Sequence, residues 1–307
     1  MSQPLSTRDA NLFRQVIRNY EDKQYKRGLK AAEQILKKNP KHGDTMAMKA
    51  LIINAQGKTE EAFALGKEAL TVQVKSHICW HVYGLLYRAN KNFEEAIKAY
   101  KFALRLEPES PQIQRDLAIL QIQMRDYQGY LQSRLAMLQA KPQLRQNWTG
   151  LAVAYHLAGD LPDAENILTT YEGTLKNPPS KGDFENSEAV LYKNMIIAET
   201  GNTQRALDHL ESAAEYNLDR LGVMECRARY LTQLGKKDEA VKAWRALIDR
   251  NTEHPEYYAS LLEAMGIADD DIPARNAVFE DYAAKYPKCD AARRVPLDFL
   301  QGGNPVQ

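Results

Sequence analysis

Cysteine is scarce in this chain. Its three cysteines, Cys79, Cys226 and Cys289, lie far apart among 307 residues, and no CxxC pair occurs. An odd, sparse set suits free thiols in a reducing compartment. Long apolar runs are absent as well. No stretch of 18 apolar residues occurs, so no membrane-spanning helix is expected. The opening MSQPLSTRDANLF has neither the basic start nor the apolar stretch of a secretory signal. These features together point to a cytosolic or nuclear protein. The chain also lacks GxSxG, P-loop, GxGxxG and HExxH motifs. Each of those would carry a specific chemistry, so an enzymatic reading has no anchor in the sequence.

What is present is a repeat. The segment from His77 to Ser110 reads HICWHVYGLLYRANKNFEEAIKAYKFALRLEPES. Counting from His77, Trp80 takes position 4, Gly84 position 8, Tyr87 position 11, Ala96 position 20, Tyr100 position 24, Ala103 position 27 and Pro108 position 32. That spacing is the 34-residue tetratricopeptide pattern of helix, tight turn and second helix. Stepping by the same interval gives repeats from Asp9, Gly43, Pro111 and Arg145 without a break in phase. The phase then slips by eight residues across KNPPSKGDFENS, a Pro/Gly/Ser/Asn-rich segment that reads as a surface loop. Repeats resume at Ser187 and Leu221, and an eighth starts near Pro255 with one inserted residue in DDDIP. Gly57, Gly159, Gly201 and Gly235 all fall at position 15, where the first helix needs a left-handed end. Ser76, Asn92 with Glu95, and Ser110 before Pro111 mark helix starts.

The reading is therefore all-α: a tetratricopeptide solenoid of about eight helix pairs in a right-handed superhelix. Residues 1–8 form a lead-in and 9–288 the array, with a loop insertion around 176–187. Residues 289–307 form a C-terminal segment. One such unit cannot bury its apolar face alone, so neighbours must stack on it.

Several residues invite a chemical reading and are better explained by the repeat. His77, Cys79 and His81 resemble metal ligands, but they flank Trp80 in a unit whose structural role is already clear. Glu60–Glu61 and Glu94–Glu95 sit in first turns of second helices, where they complement the helix dipole. Trp80, Tyr83 and Tyr87 read as packing between helices. Some tetratricopeptide arrays clamp a C-terminal carboxylate with a basic residue at position 5 and Asn at position 9. That combination never occurs here; the fourth repeat, for instance, carries Arg115 and Ile119. No catalytic group, metal site or cofactor is expected.

Charge is distributed unevenly. The whole chain sums to +1, but residues 1–41 carry +6 and the remainder −5. Arg14 and Arg18 lie four apart on the first helix, and Lys23 sits in the turn. Lys26, Arg27, Lys30, Lys37 and Lys38 run along the second helix, and Lys41 follows it. A terminal repeat needs a polar outer face, which is one explanation. A cap needs polarity, however, not one sign of charge. These nine residues form a candidate surface for a polyanion, gripping phosphates with little sequence preference.

Several stretches go beyond the generic repeat: NLFRQVIRNYEDKQYKRGLKAAEQIL, CWHVYGLL, LQIQMRD, NWTGLAVAYHLAGD and ARRVPLDFL. On these the chain resembles the auxiliary subunit of the NatA N-terminal acetyltransferase across almost its whole length. The resemblance implies a non-catalytic helical-repeat scaffold around a separate GNAT-fold catalytic subunit, which acetylates nascent chains. It also implies docking on the ribosome, with the family's basic pattern falling on Arg14, Arg18, Lys23, Lys26, Arg27 and Lys30 and ribosomal RNA as the ligand. Huntingtin-interacting protein K would be an additional partner. Family members continue far beyond QGGNPVQ, so an N-terminal fragment lacking most of the catalytic-subunit cradle is expected. The alternative is a general tetratricopeptide protein–protein scaffold without ribosome contact.

Overall fold

The 34-residue rhythm of the sequence becomes a rhythm of helices. In the computed structural model of the chain, which describes residues 5–300, the first helices of successive repeats are α1 (Thr7–Glu21), α3 (Gly43–Ala55), α5 (His77–Ala89), α7 (Pro111–Gln123), α9 (Arg145–Leu157), α11 (Phe184–Glu199), α13 (Arg220–Gln233) and α15 (Pro255–Met265). Their partners are α2 (Tyr25–Lys38), α4 (Thr59–Val72), α6 (Phe93–Leu106), α8 (Tyr127–Ala140), α10 (Leu161–Thr174), α12 (Thr203–Ser212), α14 (Lys237–Arg250) and α16 (Ile272–Lys285). A 3₁₀ turn, Ala214–Tyr216, follows α12, and α17 spans Ala291–Leu300. No strand occurs among the described residues. The helices fall into two compact units, one ending at Ala158 and one starting at Gly159.

Four boundaries differ from the sequence reading, and capping explains three of them. Helix α1 starts at Thr7 rather than Asp9, because the Ser6 hydroxyl accepts from the Asp9 N–H. The lead-in is correspondingly shorter, and its residues 1–4 lie outside the described residues. The loop between α10 and α11 ends at Asp183, not near 187, because Asp183 caps α11 by accepting from the Asn186 N–H. Helix α13 starts one residue early on the cap Asp219. The fourth difference lies beyond the array. Residues 291–300 form a further helix, whose Val295 and Phe299 pack on the core of the second unit. The closing QGGNPVQ lies outside the described residues.

Small residues let the helices of a pair approach. Ala62, Ala96, Ala164, Ala206 and Ala240, all at position 20, have no exposed surface. Gly84 shows why no larger residue fits at position 8 of its repeat. A Cβ there would stand 2.4 Å from a ring carbon of Tyr100, which is itself fully buried. The fourth repeat departs from this rule by carrying the buried Tyr130 at position 20.

Position 4 has a second job. The side chains of Trp80, Gln114, Trp148 and Tyr258 donate to the carbonyls of Val74, Pro108, Pro142 and Thr252, at 2.7–2.8 Å. Each bond fastens a first helix to the loop six residues before it. The aromatic residues at this position are thus committed to the scaffold.

The turns follow the register more widely than glycine alone reveals. Gly57, Gly159, Gly201 and Gly235 have φ between 69° and 86°. At the same position of three other repeats, Lys23, Lys91 and Arg125 adopt φ of 56–61°. In the eighth repeat the first helix is shorter and ends earlier, on left-handed Gly266.

Candidate nucleic-acid interface

The basic residues of the first repeat are displayed by a helix pair whose opposite faces are buried. Val16 of α1 and Ala31, Ala32 and Ile35 of α2 pack inward, with Gly28 pressed against Ile52 of α3. At 100° per residue, Lys26, Arg27, Lys30, Lys37 and Lys38 then fall within an arc of about 120° on the outer face of α2. Arg14 and Arg18 share one stripe of α1. All nine candidates, including Lys23 and Lys41, are exposed.

The structure gathers these residues unequally. Arg18, Arg27 and Lys30 line one shallow groove between α1 and α2, together with Gln15, Asn19 and Gln34. Lys26 and Lys37 flank it along α2. Lys23 and Lys41 lie at opposite ends of α2, separated by its roughly 20 Å length. Lys38 is partly committed elsewhere, because its ammonium lies 3.5 Å from Asp9 Oδ1 at the start of α1. The Ser6 hydroxyl, donating to Asp9 Oδ2 at 2.8 Å, and then Lys38 hold the Asp9 carboxyl below its ordinary range.

The remaining cations have no carboxylate partner among the described residues. Arg14 donates to Asn11 Oδ1 (2.8 Å) and Arg27 to Gln24 Oε1 (2.9 Å), neutral groups that orient the guanidinium without cancelling its charge. Of the four nearby acids, Asp9 faces Lys38, and Glu33 lies 3.6 Å from Lys49. The groove itself is lined by Arg18, Arg27 and Lys30 and by no acid among the described residues, so the field over it is positive. Such a surface can hold phosphates by Coulomb attraction and by the forked donors of arginine. Gln15, Asn19 and Gln34 escape a charge census because they are neutral. Their helical spacing against Arg18, Arg27 and Lys30 is the signal that locates them.

Within the His77–Cys79–His81 group, Cys79 and His81 have structural partners. Burial pushes the Cys79 thiol up to about 12. Its N–H donates to the Ser76 hydroxyl, which caps α5. His81 Nε2 meets Asp116 Oδ2 at 2.8 Å, and Arg88 donates to the other oxygen at 2.9 Å. Burial alone would raise the Asp116 carboxyl. The His81 hydrogen bond and the Arg88 charge outweigh that and hold it below its ordinary range.

Known proteins place the chain. The family described as N-terminal acetyltransferase A, auxiliary subunit, matches residues 184–305, and tetratricopeptide-repeat families match residues 13–74 and 84–124. The chain is 40% identical to the N-terminal acetyltransferase A complex auxiliary subunit NAA15 of Arabidopsis thaliana, covering 99% of this chain and 35% of that protein. It is 42% identical to the human N-alpha-acetyltransferase 16, NatA auxiliary subunit, over 97% of this chain and 34% of that protein. A solved structure of Naa15/Naa10 bound to HypK-THB matches with a TM-score of 0.82 and 71% identity, over 97% of this chain and 45% of that one. The chain thus spans about a third of the length of its curated relatives. With the same repeat architecture and near-complete coverage by proteins named for one role, the chain belongs to the family of NatA auxiliary subunits.

Proposed function

We propose that this chain is part of a non-catalytic scaffold that anchors a NatA-type N-terminal acetyltransferase to the ribosome, through contact of the α1–α2 face with ribosomal RNA. The observation that carries this reading is the set of exposed cations on one helix pair without carboxylate partners. The relatives support the scaffold role, since they are named auxiliary subunits and the solved structure pairs Naa15 with Naa10 and HypK-THB. By the same reading, partners equivalent to Naa10, as the GNAT-fold catalytic subunit, and to HypK (huntingtin-interacting protein K) bind the whole protein. The complex would work in the cytoplasm on nascent chains.

The geometry suits a backbone contact. Phosphates repeat along any RNA, and a basic helical face offers charge rather than an edge-reading donor pattern. The groove bearing Arg18, Arg27 and Lys30 would seat one stretch of backbone, with Lys26 and Lys37 extending it along α2. Ribosome co-sedimentation tests the reading. The triple variant Lys26→Glu, Arg27→Glu, Lys30→Glu should stay in the supernatant while retaining wild-type helix content by circular dichroism, because exposed charges contribute little to stability. Equal pelleting of variant and wild type would favour the general scaffold, with the basic face as a solubilising cap.

A further inference from the structure

Within the first unit, a cleft lined by α7, α8 and the start of α9 leaves apolar side chains uncovered. Ile119 is 58% exposed, Ile122 39% and Leu144 37%. With Met137 they line an open cleft of about 610 Å³. Tyr130 stands at position 20, where the other repeats through the seventh carry alanine or glycine, and its buried ring lines the cleft.

The rim of the cleft is positive. Arg115, Arg134 and Lys141 line it, against Glu109 as the lining acid among the described residues. None of the three cations has a carboxylate partner among the described residues. Arg134 is held in place: its Nε donates to the Tyr130 hydroxyl at 2.8 Å, and its guanidinium lies 5.1 Å above that ring. Gly150 of α9 leaves room for it, since a Cβ there would stand 3.0 Å from the guanidinium carbon.

We propose that this cleft docks an acidic amphipathic helix supplied by another polypeptide. Charge complementarity selects acidic residues for the rim, and the exposed isoleucines and leucine select an apolar stripe for the floor. A helix fits better than an extended strand because the cleft offers few groups to pair a strand's backbone. Ile119 occupies the position where peptide-clamping repeats carry asparagine. The Asn147 amide is spent on the carbonyls of Met137 and Lys141, and the Gln114 amide on that of Pro108. A helix satisfies its own backbone and presents apolar anchors at i, i+3 or i+4, and i+7. An RNA strand would meet the same cations but leave the isoleucines uncovered.

A phage-displayed library of random 16-residue peptides, panned on the full chain, tests this. Enriched peptides should carry net negative charge with apolar residues at helical spacing. Binding of a labelled enriched peptide should weaken at least tenfold in the double variant Ile119→Glu, Ile122→Glu, and also in Arg115→Glu, Lys141→Glu. The second pair lies wholly on the exposed rim, so it carries the test if the isoleucine variant unfolds. Absence of enrichment, enrichment of basic peptides, unchanged binding in the folded variants, or displacement of the peptide by oligouridine RNA would each overturn the proposal.

Discussion

At the scale of single residues, the seven left-handed turn positions show what a sequence reveals and what it conceals. Glycine at Gly57, Gly159, Gly201 and Gly235 announces a positive φ. Lysine or arginine at Lys23, Lys91 and Arg125 does not, because nothing in the side chain requires that conformation. Only the register places them there. The two groups should respond in opposite ways to substitution. A Cβ at Gly57 meets nothing within 4 Å, so Gly57→Ala is opposed by backbone strain alone and should cost about 1 kcal/mol. Lys91→Gly should relieve the same strain and prove neutral to stabilising, by up to about 1 kcal/mol. Urea denaturation of the two variants checks both signs. Lys23→Gly would show the same relief while also removing one candidate phosphate contact.

His42 supplies a second residue-scale test. Its Nδ1 accepts from the Thr45 N–H at 3.2 Å and so caps α3, a role that requires an unprotonated nitrogen. Burial lowers its pKa from the ordinary 6.5, while Asp44 opposes the shift. The sign follows directly. Above the unfolded value the contribution to stability is complete. As pH falls below it, the unfolded chain takes up a proton that the folded His42 resists, and stability declines through the folded pKa. The melting temperature should therefore drop between pH 7 and 5. His42→Asn should flatten that drop, because asparagine caps a helix without titrating. An equal pH response in the variant would remove His42 from the explanation. His209, lowered first by burial and then by Lys193, contributes in the same direction.

At the scale of elements, the periodicity of small residues made most of the fold legible. A helix pair is specified by alanine or glycine where the helices must touch, and the first helices begin within three residues of the registered positions. The departures have local causes, namely caps such as Ser6 and Asp183 that start a helix earlier than the repeat phase. The helix over residues 291–300 was not read, since the register stops at the eighth repeat and Pro296 lies inside this helix. Close packing at the Gly84–Tyr100 contact gives the element-scale prediction. Gly84→Val forces a branched side chain into a ring that has no exposed surface from which to retreat. It should destabilise the first unit by about 1–3 kcal/mol. Thermal and urea melts would reveal it, and wild-type stability would show that α5 and α6 have slack that the buried Tyr100 ring does not suggest.

At the scale of the whole molecule, composition gave the charge polarity but not its arrangement. Counting +6 over residues 1–41 flags an end of the chain. It does not tell that Lys38 turns toward Asp9, that Arg18, Arg27 and Lys30 share a groove, or that Gln15 and Gln34 sit among them. Those facts depend on how α1 lies against α2. The cleft along α7–α9 was illegible for the same reason, because Ile119 and Ile122 read as ordinary apolar helix residues until the packing leaves them outside. The central claim, that the α1–α2 face binds RNA through its phosphates, is tested most directly by the salt dependence of ribosome binding. Counterion release adds roughly 0.7–0.9 to the slope of log affinity against log salt for each phosphate contact. Measured from 50 to 200 mM salt, wild-type binding should fall steeply. The Lys26→Glu, Arg27→Glu, Lys30→Glu variant should bind weakly, with a slope shallower by about 2–3. A wild-type affinity that does not change with salt, or equal slopes for the two proteins, would contradict the account.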